Sequence, residues 1–233
     1  MKELKLYCLP CAGGSTALYK DWKGFGINVC PIELSGRGIR FNEPLYHSMD
    51  DAVNDIFQLI DTRGPYAFFG HSMGSILCYE LLLRLQKEHH PSPEHVFFSA
   101  ANPPEIKPYC DYASMPDDIL AEEIYRMGGV DRAIIEDGKL MKIFLTIFRA
   151  DFYLLSSYNQ DRDFPLVDCS ISVLFGDDDP GMVWRDLRMW RRYTIRNCEF
   201  KVFSGNHFYL NKNKESLFAY IQSRLKDYYD RIR

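Results

Sequence analysis

The chain has no apolar run of the roughly 18 residues that would cross a bilayer as a helix, so no membrane association is expected. It has no Gly-x-Gly-x-x-Gly, which argues against a dinucleotide-binding first turn. It has no excess of positive charge. Its 28 Lys and Arg against 32 Asp and Glu give a formal net charge of −4, which disfavours nucleic acid as a partner. Internal repeats and low-complexity stretches are absent. The seven cysteines are odd in number and irregularly spaced. Cys8 and Cys11 form a C-x-x-C, yet no second pair or His partner completes a zinc set. Reduced, mostly core cysteines and no metal are therefore expected. The first residues, "MKELKLYCLP", lack a long apolar segment and a small-residue cleavage site. They read as a first strand, and a cytoplasmic location is expected.

What is present suits a globular α/β chain. The 233 residues are 46% hydrophobic, enough to bury a sizeable core in one domain, taken as 1–233. Strand-like runs are "LKLYCLP" (Leu4–Pro10), "INVCPIEL" (Ile27–Leu34), "YAFFG" (Tyr66–Gly70), "HVFFSAA" (His95–Ala101), "SISVLFG" (Ser170–Gly176) and "FKVFSG" (Phe200–Gly205). Several are almost continuously apolar, as strands covered on both faces are. Helical patterns lie between them. Residues 48–62 open with Ser48 and Asp51 in capping-box spacing and place Val53, Ile56, Leu59 and Ile60 on one face. Others run over 73–88, 182–193 and 215–232. Strand–helix alternation predicts a mostly parallel sheet with helices on both faces.

One stretch breaks the alternation. Residues 103–164 contain no good strand, but helical patterns span 117–127 and 139–158, punctuated by Gly128-Gly129 and Asp137-Gly138. Sixty residues exceed a plain crossover, so this segment reads as a helical insertion, a lid candidate over the strand ends. Ile143, Phe144 and Ile147 are its candidate channel-lining side chains.

The chemistry centres on "GHSMG", Gly70 to Gly74. Gly-x-Ser-x-Gly between a strand and a helix is the nucleophile-elbow pattern. The turn is tight, so a Cβ at either glycine would collide with neighbouring backbone. The helix behind it adds a positive field. Ser72 then needs a base, and the base an orienting acid, in the order Ser, acid, His. Of six histidines, His71 sits inside the elbow, and His47, His89, His90 and His95 precede the acid or lie in polar, exposed-looking runs. His207, in "FSGNHFYL", follows a late strand and is the candidate base. "VLFGDDDP" supplies Asp177, Asp178 and Asp179 as candidate acids. Alternation lets Asp177 and Asp179 share a side, and residue physics alone does not choose between them. The oxyanion donors should be the backbone N–H of Met73, after the nucleophile, and one from the glycine loop "PCAGGS" (Pro10–Ser15).

Taken together, "LPCAGGS", "ELSGRGIRFNEP" (Glu33–Pro44), "GHSMG", "FRADF" (Phe148–Phe152), "GDDDP" and "GNHFYL" resemble the type II thioesterases that accompany nonribosomal peptide and polyketide synthases. "GRG-x-R" and "RADF" have no general catalytic meaning, so their presence in order makes the resemblance specific. It implies an α/β-hydrolase fold with a helical lid. It implies hydrolysis of acyl thioesters on the phosphopantetheine arm of an acyl- or peptidyl-carrier protein, without cofactor, by a chain expected to be monomeric. It selects Asp179 as the acid, three residues past the strand-ending Gly176, and Ala12 as the second oxyanion donor. The sequence departs from the family pattern at Cys11, at Ser35 and at Asn206, and none of these removes a catalytic atom. The rival readings are a small-molecule carboxylesterase or acyl-CoA thioesterase on the same triad, an acyltransferase, and a non-catalytic synthase partner. The basic run "WRDLRMWRRYTIR" is the candidate carrier-docking surface, with Arg185, Arg188 and Arg192 on one face at helical spacing.

Overall fold

The computed structural model describes residues 3–23, 26–106, 112, 114–130, 132–158 and 163–231. Six strands, β1 (Lys5–Leu9), β2 (Asn28–Pro31), β3 (Tyr66–His71), β4 (Val96–Ser99), β5 (Ile171–Gly176) and β6 (Cys198–Phe203), form one sheet in the order β2-β1-β3-β4-β5-β6. Every pairing in it is parallel. The apolar runs place their residues alternately in two cores, as a period of two demands. Tyr7, Leu9, Phe68, Phe98 and Val173 enter the core on one face. Leu6, Cys8, Phe69, Phe97 and Leu174 enter that on the other.

Helices α1 (Met49–Leu59) and α2 (Met73–Lys87) close the first face, and α7 (Lys214–Arg231) closes the second with Tyr19 and Trp22. Ser48 caps α1, its Oγ accepting from the Asp51 N–H at 3.0 Å. Val53 and Ile56 are buried as the periodicity predicts. Leu59 is exposed, because the helix ends there and Ile60 is already extended on the way to β3.

The stretch between β4 and β5 is helical throughout its described secondary structure. It contains α3 (Asp117–Met127), α4 (Arg132–Glu136) and α5 (Gly138–Ser157). Gly128 ends α3 in the left-handed region at φ 84°, and Asp137 caps α5 by accepting from the N–H groups of Lys139 and Leu140. Leu120, Ile124, Leu145 and Phe148 join the core on the α2 side of the sheet. Residues 107–111, 113, 131 and 159–162 of the predicted insertion lie outside the described residues.

The helix predicted over 182–193 differs. Only α6 (Trp184–Leu187) is α-helical, and Arg188–Tyr193 winds as a 3-10 helix. The cause is packing: Leu187, Trp190 and Tyr193 are all buried at a spacing of three, the period of a 3-10 helix. Trp190 stacks on Phe98 at 4.1 Å and donates its indole N–H to the Ala101 carbonyl. Among the described residues no helix is long and apolar enough to cross a membrane.

Candidate active site

All six strands run the same way, so the loops following β1, β3, β4, β5 and β6 gather at one edge of the sheet, where ligands bind in open α/β folds. Ser72 sits there between β3 and α2 at φ 54°, ψ −118°, a strained conformation for a residue with a Cβ. A Cβ on Gly70 would lie 2.2 Å from the Gly74 carbonyl oxygen, and one on Gly74 would lie 2.2 Å from that of Leu9. The flanking glycines are therefore obligatory. The Ser72 N–H is anchored to the Ser99 carbonyl at 2.7 Å.

His207 Nδ1 lies 2.7 Å from Asp179 Oδ2. An ionised carboxylate only accepts, so Nδ1 carries the proton and Nε2 is left as an acceptor. Asp179 is buried, and its other oxygen accepts from the Gly181 N–H at 3.0 Å. Asp177 instead accepts from the Gly205 N–H at 2.8 Å, holding the β6 loop. Of the two aspartates left open by alternation, Asp179 meets the histidine and Asp177 does not.

The remaining histidines have other duties. His71 is fully buried and shares hydrogen bonds with Ser99, which in turn bonds the Tyr209 hydroxyl. Burial holds it neutral, well below the ordinary imidazole range. Its ring packs 5.2 Å from that of His207. His95 is not exposed as its polar surroundings in the sequence suggest. It is buried beside Ser172 Oγ at 2.8 Å, and desolvation pushes its pKa down to about 4.

Ser72, Asp179 and His207 line one cavity of about 640 Å³, together with Ala12 and Met73. In the glycine loop the Gly13 N–H is taken by Asp151 Oδ2 and the Gly14 N–H by the Cys11 carbonyl. Among the described residues the Ala12 N–H has no acceptor, and Met73 stands at the open N-terminus of α2. Cys11 also lines the cavity, and burial pushes its thiol up to about 12, so it stays protonated and unreactive at neutral pH.

The apolar wall of the cavity is built by α5, and of the three residues expected there Phe144 lines it while Ile143 and Ile147 do not. Phe144, Phe148, Phe152 and Leu155 line the cavity at spacings of four and three, continued by Tyr158. Ile143 is 41% exposed, and Ile147 is buried away from the cavity. Tyr158 donates to the buried Glu80 of α2, two helical turns beyond Ser72.

Arg37 and Asp151 are the pair that the sequence did not disclose. They come from "GRG-x-R" and "RADF", and only the order of those runs hinted that they belong together. Arg37 Nη1 and Nη2 grip the two oxygens of Asp151 at 2.5 and 2.7 Å, with both side chains 2% exposed. The basic run is looser than a helical face implies. Arg185 lines the cavity and Arg188 is exposed, whereas Arg192 is drawn to Glu105, Arg191 lies over Phe200, and Arg196 pairs with Asp168. The six described cysteines are free; Cys110 lies outside the described residues. Among the described residues no three His, Cys, Asp or Glu side chains converge to hold a metal ion.

Known proteins resemble this chain in sequence and fold. A family model described as a thioesterase domain matches residues 4–225. The gramicidin S biosynthesis protein GrsT of Aneurinibacillus migulanus is 31% identical over 232 residues, covering 96% of this chain and 90% of that protein. Among solved structures, ClbQ from the colibactin NRPS/PKS pathway aligns with a TM-score of 0.89 at 32% identity, covering 97% of this chain and 98% of its own. The RedJ thioesterase from the prodiginine biosynthetic pathway in Streptomyces coelicolor aligns at 0.88 and 30% identity, covering 95% and 90%. With the match running from the first strand into the last helix, the chain belongs to the thioesterase family of the α/β-hydrolase fold.

Proposed function

We propose that this thioesterase hydrolyses acyl thioesters borne on the phosphopantetheine arm of acyl- or peptidyl-carrier proteins, acting in trans during nonribosomal peptide or polyketide biosynthesis. The observation that carries the reading is the Asp179–His207 hydrogen bond of 2.7 Å set beside the strained Ser72, all facing one largely apolar cavity. Its relatives come from pathways of that kind.

In this reading Ser72 Oγ attacks the thioester carbonyl and gives its proton to His207 Nε2. Asp179 holds the imidazole in the tautomer that leaves Nε2 free and stabilises the imidazolium that forms. The N–H groups of Ala12 and Met73 receive the developing oxyanion, and the α2 N-terminus adds its field. The C–S bond breaks, and the departing sulfur takes the proton from His207 and leaves as the thiol, which returns the imidazole to its neutral form. Water, deprotonated by His207, then cleaves the acyl-serine ester and releases the carboxylic acid. The apolar wall of α5 receives the acyl chain. The helical insertion acts as the lid of a single domain.

The test is a panel of carrier proteins loaded with defined acyl groups, followed by intact mass. Loss of the acyl mass with wild type, and its retention with Ser72→Ala, is expected. Equal hydrolysis of oxygen esters and no turnover of any carrier would favour the carboxylesterase instead.

A further inference from the structure

The glycine loop after β1 is held by a buried charge pair that the catalytic steps do not use. Gly13 donates its N–H to Asp151 Oδ2 at 2.7 Å, and the Gly14 carbonyl accepts from Arg37 Nη1 at 3.3 Å. Arg37 Nε also reaches the Ser35 carbonyl at 3.4 Å. Asp151 lies on α5, the helix whose Phe144 and Phe148 wall the cavity. Gly13 itself is at φ 70°, and a Cβ there would lie 2.9 Å from Phe148 and 3.0 Å from Phe144. The loop is thus gripped through both polar groups around Gly13 and pressed by the aromatic wall.

A buried ion pair is a poor device for stability, because apolar residues of similar volume generally serve as well. Its position explains it better. By consuming the Gly13 N–H the pair sets the Ala12–Gly13 peptide plane, and by holding the Gly14 carbonyl it fixes the Gly14–Ser15 plane further along the same loop. Among the described residues the Ala12 N–H, facing the cavity, has no acceptor.

We propose that Arg37 and Asp151 are positioning residues for the oxyanion donor at Ala12, and that through them the donor and the acyl-binding helix α5 are held as one rigid unit. The inference rests on the catalytic reading above. In consequence the acyl chain, packed on Phe144 and Phe148, is placed relative to the donor by a single helix and not by two independent elements.

The test compares wild type with the double variant Arg37→Met/Asp151→Leu, which removes both charges together. Three quantities are measured: thermal unfolding, kcat and KM on an acyl-pantetheine thioester, and affinity for two inhibitors. An acyl trifluoromethyl ketone forms a tetrahedral adduct whose oxyanion needs the donor. An acyl-pantetheine thioether occupies only the ground-state site. The expected result is a folded double variant whose kcat falls about a hundredfold, as for loss of one oxyanion donor. Its ketone affinity falls in parallel, while KM and thioether affinity change less than about twofold. Arg37→Met/Asp151→Asn, which keeps an acceptor for Gly13, should recover part of the kcat. A folded double variant with wild-type kcat, or equal losses on ketone and thioether, overturns the proposal. Should the double variant not fold, Arg37→Lys keeps the charge but loses the two-pronged grip, and the same split between the inhibitors decides. Failure of the catalytic reading looks different: turnover persists in Ser72→Ala and the ketone does not inhibit wild type, which removes the proposal as well.

Discussion

Asp179 Oδ2 meets His207 Nδ1 at 2.7 Å, while Asp177, two residues earlier, spends its carboxylate on the Gly205 N–H. Adjacent acids in one loop thus hold different partners. Asp179→Asn should lower kcat by about 10³–10⁴-fold, because the amide no longer enforces the working imidazole tautomer. Asp177→Asn should cost about 1 kcal/mol of stability through the weakened loop bond and less than about tenfold in rate. Asp178→Asn should be close to silent. Thiol release and urea unfolding measured on all three variants check the assignment. Asp177→Asn as the inactive variant would move the acid and leave the rest of the mechanism standing.

The strands and the elbow were readable because they rest on local rules. An apolar run with a period of two declares its two faces, and the Gly-x-Ser-x-Gly spacing marks the turn: Gly70 is required by Gly74 and Ser75 of that turn, and Gly74 by the Leu9 carbonyl of the neighbouring strand β1. The Arg37–Asp151 pair spans 114 residues, and no periodicity connects its members. On α5 the similar hydropathy of Ile143, Phe144 and Ile147 does not tell which of them faces the cavity, and of the three Phe144 does. Phe144 and Phe148 close on Gly13, more than 130 residues away in sequence, a contact that periodicity does not reveal. The 3-10 winding at Arg188–Tyr193 and the burial of His95 follow from Phe98 and Ser172, which lie far away in sequence.

The aromatic wall should set acyl preference. Phe152 stacks on Phe148 at 4.5 Å and lines the cavity. Phe152→Ala should shift the kcat/KM optimum toward longer or branched acyl groups, with a change of about fourfold per methylene accommodated. Ile143→Ala, on the solvent side, should leave the profile as it is. Both are read from kcat/KM over a ladder of acyl-pantetheine thioesters. An unchanged optimum in Phe152→Ala would place the acyl chain elsewhere.

Acid stability should depend on His95. Its pKa is pushed down to about 4 by burial, aided by Arg224, whereas in the unfolded chain it titrates near 6.5. Between those values the unfolded state binds the proton and the folded state does not. Stability therefore falls as pH drops from about 6.5 to about 4, by about 3 kcal/mol for this group. His95→Gln retains a partner for Ser172 but cannot titrate. Urea unfolding across that window should show a pH slope smaller by this amount in the variant. Identical slopes would mean that His95 accepts a proton without cost in the folded state.

Docking of an anionic partner should depend on Arg185 and Arg188, and not on Arg192. At α-helical spacing Arg185, Arg188 and Arg192 would share one face, but the 3-10 segment breaks that register and Glu105 draws off Arg192. Arg185, paired with its neighbour Asp186 at 3.1 Å, stands at the cavity, which Arg192 does not line, and Arg188 is exposed one 3-10 turn further on. In the proposed reaction a phosphopantetheine arm would enter with the negative charge of its phosphodiester. A pair of cations beside the entrance would speed the encounter more than it strengthens the complex. Arg185→Glu with Arg188→Glu should slow hydrolysis of an acyl-carrier protein about tenfold at low salt. The same variant should act within about twofold of wild type on an acyl-pantetheine lacking the phosphate, because no charge is steered. The defect should shrink as salt shortens the screening length from about 10 Å at 0.1 M to about 3 Å at 1 M. Arg192→Glu serves as the control and should change neither rate by more than about twofold. Equal slowing on both substrates, or a defect indifferent to salt, would assign these arginines to the fold of the 184–193 segment and leave the carrier to approach over another surface.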